Sequence, residues 1–268
     1  MHTKEELYSN KIFFNAALPL VKVIANDVPS LKKQFAKVHA IIQVTADDPD
    51  AEGGKVGMHY VVNGDEWLVH LNKVDPNPHV ELEFKSVEAM NAFFKGKISP
   101  ATLPKMHGVL KNFGAFKAFL MTLLKMSSLL SATEPPKDDE TKELMVKCFF
   151  YLLSSGISQL NKMGHEDIHD WTSKSPDRVY AWAVNGYPQV SAYLRIKAGK
   201  SRAGRGEYKR AMPFFTLRFD SLDSALGILL GTDYMLEAVK QGHLIMDGAP
   251  EFGGQIGTYM LEVAALAK

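Results

Sequence analysis

Cysteine is almost absent. The 268 residues hold one, Cys148, which excludes an internal disulfide and any Cys-rich zinc or iron–sulfur site within one chain. It sits in the apolar run Met145–Leu153 and reads as a small buried hydrophobe. Charge of one sign is not in excess either. The 31 Lys+Arg and 30 Asp+Glu leave a net charge of +1, so no overall field steers nucleic acid to the protein. No apolar run reaches the ~20 residues of a membrane span. The longest, Phe116–Leu130, is broken by Lys117 and Lys125. The opening Met-His-Thr-Lys-Glu-Glu lacks the basic-then-apolar order of a signal peptide. The expectation is a soluble, cytoplasmic protein. Nor is there a nucleophile elbow: Ser154-Ser155-Gly156 and Ser127-Ser128 fall in helical pattern, and no carboxylate pair stands out. The expectation is no enzyme and no cofactor.

What remains is ordinary for a globular chain: 46% apolar, 23% charged, 20 Gly and 13 Pro. Disorder and low complexity are excluded. The length suits one large domain or two of roughly 130 residues.

An internal repeat favours two. Glu83-Phe84-Lys85-Ser86-Val87-Glu88 lies over Arg218-Phe219-Asp220-Ser221-Leu222-Asp223, with Phe and Ser coinciding. In the same register Phe93-Phe94-Lys95-Gly96 falls on Ile228-Leu229-Leu230-Gly231, and Lys105 on Lys240. With one residue dropped, Gly108–Ala115 falls on Gly242–Ala249. Upstream, Lys11-Ile12-Phe13-Phe14 matches Lys147-Cys148-Phe149-Phe150. The offset stays near half the chain, as in a tandem duplication. The join is Thr133–Glu140, whose two prolines and four acids cannot continue a helix or core strand. The expected domains are residues 1–132 and 141–268, linked by 133–140, with Asp138 or Asp139 capping the next helix.

Each copy opens with helical spacing, Lys11–Asn26 and Glu140–Met163, then a short helix near Ser30–Phe35 or Glu166–Trp171. Strand patterns follow. In copy one they are Ala40–Thr45, Val56–Val62, Glu66–Leu71 and Val80–Lys85, with Asn63-Gly64-Asp65 as a hairpin signal. In copy two they are Val179–Val184, Val190–Lys197, Glu207–Arg210 and Phe214–Phe219, with a glycine-rich basic loop after Lys197. Ser86 and Ser221 then cap helices that end at Gly96 and Gly231. A last short strand, Gly108–Phe113 or Gly242–Asp247, feeds a terminal helix, Ala115–Leu130 or Phe252–Ala267. The fold class is α+β, each copy an antiparallel-rich sheet of about five strands with helices on one face.

The order alternating strand, Ser-hydrophobic-acid cap, helix ending in Gly, then Gly-x-Leu…Gly-Ala and a terminal helix resembles the SCP2 family, the sterol carrier protein 2 lipid-binding domain. The resemblance runs over Gly57–Leu130, including the Trp67 strand, and over Phe214–Leu266. It implies two tandem SCP2-like domains, each enclosing an apolar tunnel, that bind fatty acid, acyl-CoA, phospholipid, sterol or isoprenoid without catalysis. Copy two departs from the pattern at its edge strands and in its Gly-rich last helix. In copy one the candidate tunnel residues are Met58, Tyr60, Trp67, Met90, Phe93, Phe94, Leu103, Met106, Phe116, Phe119, Leu120, Leu123 and Leu124. In copy two they are Leu226, Leu229, Met235, Leu236, Val239, Tyr259 and Met260. Phe116, Phe119, Leu120, Leu123 and Leu124 form a wide helical stripe, and methionine suits adaptable apolar walls. The same stripe also serves as ordinary core. A buried methylene is worth about 0.8 kcal/mol, so micromolar binding needs about ten buried carbons.

Two further motifs have competing readings. His165-Glu166-Asp167-Ile168-His169 matches H-E-x-x-H, which on a helix chelates zinc and polarises water. Gly164 precedes it and no clear third ligand follows at helical spacing, although Glu207 could be named, so it reads as a solvated polar face with Ile168 and Trp171 turned inward. Arg195, Lys197, Lys200, Arg202, Arg205, Lys209 and Arg210 cluster in sixteen residues with one acid, Glu207. Gly199-Lys200-Ser201 lacks the earlier glycine of a phosphate loop. Lys200, Arg202 and Arg205 suit an anionic headgroup or membrane surface, or simply a solvated hairpin tip. Three functions follow: a carrier for a long apolar ligand; an accessory protein presenting such a ligand to a partner enzyme; and, remotely, a zinc hydrolase. The partners are an apolar small molecule, an anionic membrane surface and an enzyme, with no nucleic acid.

Overall fold

The computed structural model describes residues 2–268. The chain divides into two compact units, one built on residues up to Ser127 and the other on Ser128–Ala265.

Unit 1 begins with α1 (Lys4–Ile12), where Thr3 and Glu6 close a reciprocal capping box that satisfies the first free backbone donors. The single helix expected over Lys11–Asn26 is interrupted. A π-turn, Phe13–Ala17, and Pro19 separate α1 from α2 (Leu20–Asp27). Val28 then extends ahead of Pro29, the first residue of α3 (Pro29–Phe35). The sheet holds β1 (His39–Asp47), β2 (Lys55–Asn63), β3 (Glu66–His70), β4 (Val80–Phe84) and β5 (Lys105–His107), in the order β3-β2-β1-β4-β5. Gly64, at φ 62, opens the two-residue turn that pairs Asn63 with Glu66. Between β4 and β5 lies α4 (Val87–Phe94), capped by the Ser86 hydroxyl, which accepts from the Ala89 N–H. After β5 comes α5 (Phe113–Leu130).

Unit 2 runs α6 (Asp139–Lys162), α7 (Glu166–Lys174), β6 (Arg178–Val184), β7 (Ala192–Lys197), β8 (Lys200–Arg205), β9 (Phe215–Phe219), α8 (Leu222–Leu230), α9 (Met235–Gln241), β10 (Leu244–Asp247) and α10 (Pro250–Ala267). Asp138 caps α6, accepting from the Thr141 N–H. Ser221 caps α8, and Gly231, at φ 76, ends it. The sheet order is β10-β9-β6-β7-β8. Read from the other edge, it repeats the order of unit 1.

Both sheets are antiparallel except for one central pair. β1 and β4 run parallel, as do β6 and β9. That long-range pairing leaves no signal in local pattern. Along each strand the side chains alternate, so Ile42, Val44, Tyr60, Leu82 and Phe84 fill one core. Tyr180, Trp182, Leu194, Leu217 and Phe219 fill the other.

Three strand expectations are corrected. The glycine-rich basic stretch after Lys197, a hairpin as expected, carries a strand that was not: Ala198 and Gly199, both at positive φ, turn the chain directly into β8. The Tyr193 ring covers Gly204, where a Cβ would fall 2.0 Å from Cζ, so the missing side chain is what lets the aromatic lie flat there. Glu207–Arg210 forms no strand; these residues lie in the stretch that links β8 to β9. In unit 1 the last strand is Lys105–His107, ahead of Gly108 rather than after it. Gly108, at φ 73, would carry a Cβ only 1.9 Å from the His79 carbonyl oxygen. Gly248 plays the same part after β10, with its missing Cβ 3.0 Å from the Phe214 carbonyl oxygen. By its place after the edge strand Gly108 matches Gly248 rather than Gly242. Gly242 instead ends α9, a helix with no counterpart between α4 and β5.

Candidate functional site

The residues expected to wall a tunnel in unit 1 separate into two sets. Met58, Tyr60, Trp67, Met90, Phe119 and Leu123 are buried. The Tyr60 ring lies 5.8 Å from both Trp67 and Phe119, and Trp67 lies 4.7 Å from Phe35. Their polar ends are satisfied inside: the Tyr60 hydroxyl donates to the Leu18 carbonyl at 2.7 Å, and the Trp67 indole N–H to that of Gly64 at 3.1 Å. Phe93 and Phe94, half-buried, pack on Phe84. Phe116 is half-buried as well. Leu103, Met106, Leu120 and Leu124 form the second set and face outward.

In unit 2, Leu226, Tyr259 and Met260 are buried, Leu229 and Met235 half-buried, and Leu236 and Val239 exposed. Two of the three α10 glycines have close neighbours within this unit, and Gly254 has none within 4 Å. A Cβ on Gly253 would meet the Met246 sulfur at 2.4 Å, and one on Gly257 the Met235 methyl at 3.1 Å.

An open cavity of ≈ 550 Å³ lies in this unit, between α7, the start of β6 and α10. The volume is that of a small-molecule site. α7 supplies Asp167, Asp170, Trp171 and Lys174, whose spacing puts them on one helix face. α10 supplies Phe252, Gln255 and Tyr259 in the same way. Ser175 and Arg178 complete the wall where the chain passes from α7 into β6. The Trp171 ring lies 5.1 Å from both Tyr180 and Tyr259. Phe214 lies 5.0 Å from Phe252.

Arg178 gives this aromatic wall its charge. Its guanidinium carbon sits 4.0 Å from the Phe214 ring centre and 5.2 Å from that of Phe252, a cation–π arrangement. Among the described residues it has no carboxylate within 4.0 Å, whereas Lys174 is held by Asp170 at 2.7 Å. The Tyr180 hydroxyl is buried beside Arg178, Ser175 and Trp171 and closes no hydrogen bond of ordinary geometry. Burial pushes the Tyr180 and Tyr259 phenols up. The Ser175 hydroxyl donates to the Pro176 carbonyl and has no base beside it. The wall can stack a planar or apolar body and neutralise an acid group, and it carries no nucleophile–base pair.

Of the residues named from the sequence as a ligand wall, Tyr259 alone lines this cavity. Trp171 was expected to face inward; it is half-buried and lines the cavity. Arg178, Phe214 and Phe252 lie far apart in the chain and gave no joint signal.

The other motifs fall outside the cavity. His165 is the residue before α7, and its Nε2 pairs with Glu262 at 2.8 Å. His169 Nδ1 faces the Asn161 side-chain oxygen at 3.1 Å. Each imidazole thus has its own partner. Among the described residues, the groups whose donor atoms converge closely enough for one ion all contain His2, with Asp48 and Asp50 or with Glu6 and Glu88. Nothing beyond that proximity marks them as ligands, since both ring nitrogens of His2 already face carboxylates. In the basic hairpin, Arg195 makes a two-point contact with Asp177 at 2.8 and 2.6 Å, and Lys197 joins at 3.5 Å. This holds the Asp177 carboxyl at about 2. Arg205 lies over the Tyr151 ring at 5.1 Å. Lys200 and Arg202 are exposed. Cys148 is buried.

No family model matches the chain, and no curated protein matches it. Solved structures do. A conserved hypothetical protein of Thermus thermophilus, TT1886, whose description offers a sterol carrier protein, is 19% identical over 44% of this chain and 88% of its own, with a TM-score of 0.31. A sterol carrier protein 2 is 19% identical over 41% of this chain and 92% of its own, at 0.27. A UbiJ-SCP2 ubiquinone synthesis protein is 18% identical over 44% and 96%, also at 0.27.

Proposed function

We propose that this chain is a non-catalytic binding protein for an amphiphile with an apolar or planar body and one acidic group, held in the unit 2 cavity. The observation that carries the reading is Arg178: a guanidinium without a carboxylate partner, set on two phenyl rings at the wall of an aromatic cavity. Its planar fork of donors matches a carboxylate or phosphate, and the two rings hold it in place at the cavity wall. Trp171, Phe252 and Tyr259 stack the body of the ligand, and Arg178 takes its carboxylate or phosphate. In the wider reading, the two units are divergent copies of one SCP2-like domain, 1–132 and 141–268, joined by 133–140. The repeated Phe-x-Ser motif and the common strand order support this. The carrier belongs to the cytoplasm and passes its cargo to an enzyme.

The test is a titration of intact protein with palmitate and with hexadecanol, followed by quenching of tryptophan fluorescence. Palmitate binds more tightly than the alcohol. Arg178→Met weakens palmitate by about 10- to 100-fold, the worth of a charge-assisted hydrogen bond, and leaves hexadecanol unchanged. Equal affinity for acid and alcohol, or an Arg178→Met protein that binds palmitate as before, overturns the proposal.

A further inference from the structure

The charges of unit 1 are unevenly placed. Between Glu88 and Glu134 there are six lysines, at 95, 97, 105, 111, 117 and 125, and no aspartate or glutamate. The stretch runs from the end of α4 through the edge strand β5 into α5. Among the described residues none of the six has a carboxylate within 4.0 Å. Lys97, Lys105, Lys111 and Lys117 are exposed.

The same stretch exposes large apolar side chains. Leu110 is 96% exposed, Ile98 66% and Phe113 60%, and Met106 and Leu124 also face outward. One exposed leucine needs no explanation. A run of them interleaved with unpaired lysines and free of acids does. α5 is, among the described residues, the one unbroken helix long and apolar enough to cross a membrane. Yet Ala118, Phe119, Thr122 and Leu123 on its inner face are buried in the fold, so only its outer face is available. That excludes a span and leaves contact at an interface. A second copy seated symmetrically on this face would set like charge against like charge.

We propose that the face formed by residues 95–124 docks on an anionic lipid bilayer, with Leu110 and Phe113 entering the interface and the lysines contacting the headgroups. The proposal does not rest on the unit 2 cavity. It is tested with the full chain by co-sedimentation with vesicles of phosphatidylcholine alone and of phosphatidylcholine with 30% phosphatidylserine. The wild type binds the anionic vesicles and not the neutral ones, and 0.5 M salt weakens the binding by screening. Lys105→Ala, Lys111→Ala and Lys117→Ala together lower the partition on the order of 100-fold, about fivefold each. Leu110→Ser, at a side chain too exposed to support folding, lowers it about tenfold. Circular dichroism verifies that both variants are folded. The proposal is overturned if the wild type treats the two vesicle types alike, or if the lysine variant binds like the wild type. It is equally overturned if Lys200→Ala with Arg202→Ala carries the loss instead, or if sedimentation velocity shows a dimer that Leu110→Ser dissociates.

Discussion

Replacing Gly156 by alanine sets two effects of similar size against each other, and the structure decides between them. Gly156 is buried in the interior of α6. Alanine there gains about 1 kcal/mol of helix propensity. Its Cβ, however, would stand 2.4 and 3.0 Å from the two γ-methyls of Val263 on α10. Val263 is fully buried, and a valine in a helix has essentially one side-chain rotamer. Neither methyl can swing aside, so α10 must shift. Overpacking of this kind costs about 1–3 kcal/mol. With the propensity gain subtracted, Gly156→Ala leaves unit 2 no more stable than wild type and less stable by up to about 2 kcal/mol, a fall of up to roughly 8 °C in Tm for a unit of this size. The assay is thermal and urea unfolding followed by tryptophan fluorescence. Trp182 donates to the Met260 sulfur on α10 at 3.2 Å and so reports the displaced helix. Because α10 carries Phe252 and Tyr259, palmitate affinity falls with stability. Combining Gly156→Ala with Val263→Ala recovers at least about 1 kcal/mol relative to the sum of the single changes. A Gly156→Ala protein about 1 kcal/mol more stable than wild type would refute the packing argument.

Ala198 sits at φ 44 in the turn between β7 and β8, so Ala198→Gly stabilises by about 0.5–1 kcal/mol, read as a higher urea midpoint. Asp177 is depressed to about 2 by Arg195, so its contribution is complete above the ordinary carboxylate range and is lost as pH falls towards 2. Asp177→Asn removes that arm of the acid-unfolding curve. His2 is raised by its bonds to Asp48 and Glu88, so its contribution is complete below pH 6.5 and disappears as pH rises through its higher folded value. A nuclear magnetic resonance titration of the imidazole checks the cause: Asp48→Asn lowers the midpoint, and an unchanged midpoint would show that Asp48 does not set it.

Local chemistry was the legible part of the fold. Ser86 and Ser221 announced their helices because a hydroxyl at the first position satisfies a free N–H wherever the helix lies. The hairpin at Gly64 and the alternation of Val80–Phe84 and Phe215–Phe219 were read on the same grounds. Strand β8 was not, because Lys-Ser-Arg-Ala-Gly-Arg has little intrinsic strand preference. Its place is set by Tyr193 covering Gly204 and by α6 beneath it, through Ser158 and Asn161 contacts to Ser201. The parallel pairs and the correspondence of Gly108 with Gly248 likewise depend on distant backbone. The cavity escaped for the same reason. Asp167, Asp170 and Lys174 have the pattern of a wet helix face, and only α10 and Arg178 turn that face into a wall.

Native mass spectrometry of the purified protein, with solvent extraction of what it releases, tests the central claim most directly. The account predicts a one-to-one adduct of a few hundred daltons that is lost on denaturation, carries a carboxylate or phosphate, and is absent from Arg178→Met. A bare mass in the wild type that stays bare after incubation with palmitate would contradict it, as would a neutral adduct indifferent to Arg178.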